Sequence, residues 1–125
     1  MTRDAITTDE IFAPVGPFSP AVRAGELLYL SGQVAQDPTT GLLVDGDAAA
    51  QSAQIFANIE AVLRAAGKTF ADVVRVGVFL TAMSDYAAMN AVYERQFTPP
   101  YPARTAVAVA ALPLGAKVEI EVIAR

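Results

Sequence analysis

Arg104 and Glu119 are the residues of this chain best placed by type and spacing to do chemistry. The run Pro102-Ala103-Arg104-Thr105-Ala106-Val107-Ala108-Val109 reads as a strand. Thr105, Val107 and Val109 alternate with smaller residues, and a period of two gives a pleated segment two unlike faces. Arg104 then shares a face with Ala106 and Ala108. A guanidinium above two methyl groups has little bulk beside it, so a small planar anion could accept paired hydrogen bonds from its fork. In the following Lys117-Val118-Glu119-Ile120-Glu121-Val122 the apolar set is Val118, Ile120 and Val122, which sends Lys117, Glu119 and Glu121 to the other side. An arginine and a glutamate that meet across one pocket would make a carboxylate site with a proton-handling group. The plainer alternative is a strand-face salt bridge between Arg104 and Glu119.

Composition narrows the chemistry further. The 125 residues contain neither Cys nor His. That removes disulfides, thiolate metal sites, a cysteine nucleophile and Ser-His-Asp catalysis, and leaves acid–base work to Asp, Glu, Lys, Tyr, backbone groups or water. A net charge of −4 disfavours nucleic acid, because no basic stripe is present to meet phosphates. The expected partners are a small ligand and further copies of the chain, with no nucleic acid and no membrane. No phosphate-binding glycine loop or metal cluster is recognisable, so no cofactor is expected. The apolar fraction of 54% exceeds the usual range of about 45–50%, and much of it is Ala and Val. No apolar run approaches the roughly 20 residues of a bilayer span, and Met1 to Glu10 lacks the pattern of a signal peptide, so a cytoplasmic location is expected.

The elements that must position Arg104 and Glu119 follow from periodicity. One domain over residues 1–125 is expected, without repeats or linkers. Leu27 to Val34 reads as a strand, Asp37-Pro38-Thr39-Thr40-Gly41 as a turn, and Leu42 to Val44 as a short return strand. Asp47 to Ala66 carries the helical stripe Ile55, Ile59, Val62, Ala66 and ends at Gly67. Val73 to Leu80 is β-branched and reads as a buried strand. Ser84 is expected to cap a second helix with the stripe Met89, Val92 or Tyr93, and Gln96 or Phe97, which stops before Pro99-Pro100. The order strands, helix, strand, helix, two strands predicts an α+β fold: a single-layer mixed β-sheet with two helices packed on one face. Ala106 and Ala108 are expected on the other face, where they would let neighbouring sheets approach.

These stretches, with Gly16-Pro17-Phe18, Ser31-Gly32-Gln33 and Asn90-x-x-Tyr93-x-x-x-Phe97, closely resemble the Rid family of reactive-intermediate deaminases, also called the YjgF family. The resemblance runs from about Ile6 to the C-terminus. It implies a chorismate-mutase-like (YjgF) fold, a homotrimer with sites between subunits, and no cofactor. It also implies hydrolysis of enamines and their imine tautomers, such as 2-aminoacrylate, to 2-keto acids and ammonia, a 2-iminobutanoate/2-iminopropanoate deaminase-like activity on a small imino, enamino or keto acid ligand. The alternatives are a non-catalytic trimer that binds small carboxylates and a pathway-dedicated deaminase for an aminoacrylate- or aminomuconate-type intermediate. By resemblance Arg104 holds the substrate carboxylate and Glu119, rather than Glu121, positions or activates water. Gly32 presents backbone to the substrate and Asn90 turns its amide to the site, whereas Tyr93 and Phe97 read as core. Phe18 and Ala106 stand where the best-known deaminases carry a tyrosine and a cysteine. Tyr101 is a candidate for the mouth of the site.

Overall fold

The computed structural model describes residues 3–125. Six strands form one sheet, β1 (Asp4–Ile6), β2 (Ala21–Ala24), β3 (Leu27–Leu30), β4 (Val73–Leu80), β5 (Ala103–Ala108) and β6 (Val118–Ala124), in the order β1-β2-β3-β6-β4-β5. Every neighbouring pair is antiparallel except β4 and β5, which run parallel. A parallel pair needs a crossover, and α2 (Tyr86–Gln96) supplies it between β4 and β5. The other helix, α1 (Ala48–Ala65), lies between β3 and β4 in sequence.

Both helices cover one face of the sheet. Leu28, Leu30, Val76, Val78, Leu80, Val118, Ile120 and Val122 point to that face and are buried with Ile55, Phe56, Ile59, Val62, Leu63, Met89 and Val92 of the helices. Phe56 anchors the layer through edge contacts with Phe70, Tyr93 and Phe97, each at a centroid distance of 6.0 Å. Edge-to-face pairs of this kind add about 0.5–1.5 kcal/mol beyond the area they bury. The opposite face carries Tyr29, Arg75, Phe79, Thr105, Val107, Glu119 and Glu121 and has no layer over it among the described residues.

Helix α1 follows the sequence closely. Asp47 is its N-cap and accepts from the Ala50 N–H at 3.0 Å, Ala66 is the C-cap, and Gly67 takes φ 74° where the chain leaves. Strand β4 also lies where its β-branched run predicts. Three expectations are corrected. Ser84 does not cap α2; it sits in a turn of 3₁₀ helix, Met83–Asp85, and Asp85 occupies the cap position without a side-chain bond. Leu42 to Val44 forms only an isolated bridge, Gln36 with Leu43, because the turn from Asp37 closes on Leu42 and little ladder remains. Strands β1 and β2 are additional. They are short and weakly alternating, and β2 turns into β3 through Gly25-Glu26, where Gly25 takes φ 60°, a conformation suited to a tight hairpin.

Candidate active site

Sheet register separates the two charged residues. Arg104 pairs with Val76 and Ala106 with Val78, so both point to the helix-covered face. Glu119 pairs with Phe79, and Phe79 pairs with Val107, so the Glu119 side chain leaves from the uncovered face. Within one chain Arg104 and Glu119 therefore cannot meet, either as a shared pocket or as a salt bridge. The same register corrects the expectation for the alanines. Ala106 packs against the helix-side core, and Ala103, Thr105 and Val107 are the β5 residues on the uncovered face.

Arg104 sits on the edge strand beneath the first turns of α2. Its Nη1 donates to Asn90 Oδ1 at 2.6 Å and its Nη2 donates to the Tyr86 hydroxyl at 2.7 Å. The Tyr93 ring lies under the guanidinium, 4.7 Å from Cζ to the ring centre, and Tyr86 lies at 5.5 Å. Tyr86, Asn90 and Tyr93 are spaced at i, i+4 and i+7, which puts all three on one stripe of α2. The arginine is thus held through both amino groups over an aromatic ring, and among the described residues it has no carboxylate partner. A guanidinium held in this way presents a preorganised fork suited to a planar anion. Asn90 has the polar duty its mid-helix position suggests. Tyr93 and Phe97 are buried as expected, but the Tyr93 ring also serves Arg104, and burial pushes its phenol above the usual tyrosine range. Tyr86 was missed by sequence reasoning; its position one turn before Asn90 was the available signal. Tyr101, in the loop that enters β5, is exposed.

Glu119 lines a cleft of about 500 Å³ away from Arg104. Phe12, Val15, Phe18, Leu114, Gly32 and Glu119 line it. Its walls are mostly hydrocarbon; Phe18 and Leu114 remain 54% and 63% exposed, so the apolar surface is open to a ligand or a neighbouring chain. Leu114 adopts φ 61° between Pro113 and Gly115, a left-handed conformation that costs a non-glycine residue about 1–2 kcal/mol and holds the side chain at the rim. Burial first, and then the like charge of Glu121, push the Glu119 carboxyl above the usual glutamate range. The Leu114 and Val15 walls were not read from the sequence.

Gly32 explains how Glu119 fits. Tyr29 pairs with Ile123, but the next link between these segments is Gln33 with Ile120, so four steps on one side match three on the other. The extra residue is a bulge at the end of β3, which is why the strand stops at Leu30 rather than Val34. A Cβ built on Gly32 would collide with the Glu119 carboxyl, lying 2.9 Å from its Cδ. The missing side chain therefore makes room for Glu119 itself. Gly32→Ala should fold, because the group in the way is the free end of a side chain, but it should swing the carboxylate out of place. Any reaction that uses the Glu119 carboxylate should slow by at least tenfold, with a melting temperature within a few degrees of the parent. A large fall in melting temperature with turnover per folded chain intact would contradict this.

Among the described residues no cluster of His, Cys, Asp and Glu could hold a metal, and no helix is long and apolar enough to cross a membrane. Comparison with known proteins adds the ancestry of this arrangement. The family model described as Endoribonuclease L-PSP matches residues 8–125. The chain belongs to this family, that of the Rid and YjgF proteins. Protein DfrA of Myxococcus xanthus is 48% identical over 99% of this chain and 96% of its own length. The 2-iminobutanoate/2-iminopropanoate deaminase of Bos taurus is 43% identical over 99% of this chain and 90% of its own. Among solved structures, RidA from the Antarctic bacterium Psychrobacter sp. PAMC 21119 superposes with a TM-score of 0.93 at 48% identity, covering 98% of each chain. The YjgF-type α+β fold is thereby shared along essentially the whole chain.

Proposed function

We propose that this Rid-family chain hydrolyses reactive enamines and imines of the 2-aminoacrylate type to 2-keto acids and ammonia. The observation that carries the reading is the Arg104 guanidinium, held by Asn90, Tyr86 and Tyr93 and without a carboxylate partner among the described residues. It suits an anion brought by the substrate. The identity to proteins named deaminases supports the same chemistry. The family description names an endoribonuclease, but a chain with no histidine and a net charge of −4 is poorly equipped to bind and cleave a polyanion.

In the proposed reaction an enamine gains a proton at its β-carbon and loses one from nitrogen to give its imine tautomer, and Arg104 fixes the carboxylate so that the imine carbon faces a water held by Glu119. The ionised carboxylate of Glu119 takes a proton as the water oxygen bonds to carbon, and the C=N pair moves onto nitrogen. Glu119 returns that proton to nitrogen, then takes the proton of the new hydroxyl and relays it to the same nitrogen as the C=O forms and the C–N bond breaks, and ammonia leaves. A raised carboxyl pKa suits a group that must both take and give a proton near neutrality.

Since Arg104 and Glu119 lie on opposite faces of one sheet, the reaction is proposed for an assembly in which Glu119 of one copy approaches Arg104 of the next. A homotrimer closes this arrangement head to tail by rotation. Light scattering should give three times the 13.1 kDa chain mass. A monomer over a wide concentration range would remove the mechanism. Activity is tested by making 2-aminoacrylate from serine with a dehydratase and following pyruvate. Acceleration over spontaneous hydrolysis is expected, in proportion to added protein; saturable pyruvate binding with no acceleration would leave a carboxylate-binding protein instead.

A further inference from the structure

The phenol of Tyr86 and the amide of Asn90 divide the Arg104 guanidinium between them. Asn90 Oδ1 occupies Nη1 at 2.6 Å and the Tyr86 oxygen occupies Nη2 at 2.7 Å. An arginine has five N–H donors, so three remain for a ligand. Tyr86 itself has one proton and an oxygen that can accept. That oxygen is used as an acceptor: the Asn90 side chain and then the Arg104 charge hold the phenol below the usual tyrosine range. A guanidinium has no lone pair to receive the phenolic proton, and among the described residues the Tyr86 hydroxyl donates no hydrogen bond. The O–H is therefore available to a ligand that reaches the free donors of Arg104. Tyr86 is only half-buried, so a ligand can reach it.

We propose that Tyr86 is a ligand-binding residue whose hydroxyl donates a hydrogen bond to the same carboxylate that Arg104 grips. The inference deepens the deaminase reading and rests on Arg104 as the carboxylate anchor. It makes the receptacle one of donors only. A carboxylate oxygen meets each donor with a lone pair, whereas a carboxamide puts an NH₂ against an N–H or O–H and leaves one of them unpaired. The site should therefore discriminate between anionic and amide ligands of the same shape, and Tyr86 should carry part of that discrimination.

Tyr86→Phe removes the oxygen and keeps the ring. Pyruvate and pyruvamide, titrated against the assembled wild-type and Tyr86→Phe proteins, give the comparison. A hydrogen bond to a charged group suggests a loss of about tenfold or more in pyruvate affinity. The pyruvate-to-pyruvamide preference should narrow with it. Installing 3-fluorotyrosine at position 86 separates contact with the ligand from mere support of Arg104. Fluorine makes the O–H a better donor and the oxygen a poorer acceptor. At pH 6, direct donation predicts pyruvate binding tighter by on the order of twofold, and a supporting role predicts it weaker. Unchanged pyruvate affinity in Tyr86→Phe, or weaker binding with the fluorinated residue, overturns the proposal while leaving the Arg104 anchor standing. A wild-type protein that binds neither pyruvate nor any other small 2-keto acid overturns the anchor and the Tyr86 contact together.

Discussion

Glu119→Gln is expected to lower turnover of 2-aminoacrylate by about two to four orders of magnitude, the usual contribution of a positioned acid–base group, with much less effect on pyruvate affinity. The amide keeps the shape that fits beside Gly32 but cannot take a proton from water. Because the base is the ionised form and burial raises its pKa, the wild-type rate should fall as pH drops through a value above the ordinary glutamate range. The variant should lose that limb. Stability follows the opposite sign. A carboxyl whose pKa is raised on folding binds its proton more tightly in the native state, so its favourable contribution is full below the unfolded pKa and is lost as pH rises through the folded one. At pH 7 Glu119→Gln should therefore be no less stable to urea than the parent. Glu121→Gln is the control. Glu121 is exposed over Gly77, away from the cleft, so its replacement should leave the rate within a few-fold and shift the acid limb slightly downward. Equal losses at both positions would show that the wrong carboxylate has been chosen.

Arg104→Ala is expected to weaken pyruvate binding by roughly tenfold to more than a hundredfold, from a charged hydrogen-bond value of about 1.5–3 kcal/mol. Deaminase activity should fall in parallel. Arg104→Lys keeps the charge but loses the planar fork, together with the double anchorage to Asn90 and Tyr86, so long-range attraction survives without orientation. Lysine should therefore fall between arginine and alanine in affinity and close to alanine in turnover. Isothermal titration with pyruvate and the coupled assay read both. Should Arg104→Ala bind and turn over normally but melt earlier, the guanidinium is a structural tie between β5 and α2 and the anchor reading fails.

What the sequence made legible differs from strand to strand. In β6 the large residues Val118, Ile120 and Val122 mark the core side, and Glu119 falls on the uncovered face as alternation requires. In β5 neither set is decisive. Thr105 and Val107 are the bulkier residues, yet they stand on the open face, with Val107 40% exposed, and the core side holds Arg104 and Ala106. An edge strand under the start of a helix has little volume to fill, so residue size does not reveal its inner face. That is why Arg104 and Glu119 read as neighbours. The bulge at Gly32 was equally hidden, since it depends on pairing with Ile120 some ninety residues later. Tyr86 was overlooked because the hydrophobic stripe of α2 is complete without it, and the Arg104 guanidinium that bonds its hydroxyl comes from another element.

The division of Arg104 and Glu119 between two faces of one sheet makes the proposed activity a property of chain concentration as well as of chain integrity. On dilution, association is lost by mass action while each chain can remain folded, so specific activity should decay at protein levels where the far-ultraviolet spectrum is unchanged. The same geometry lets two defective chains repair one another. A chain lacking its arginine still offers a sound glutamate to its neighbour, and a chain lacking its glutamate still offers a sound arginine. Mixed assemblies of the two would contain some sites with both groups intact, so two alleles that are each silent alone could together restore a working enzyme.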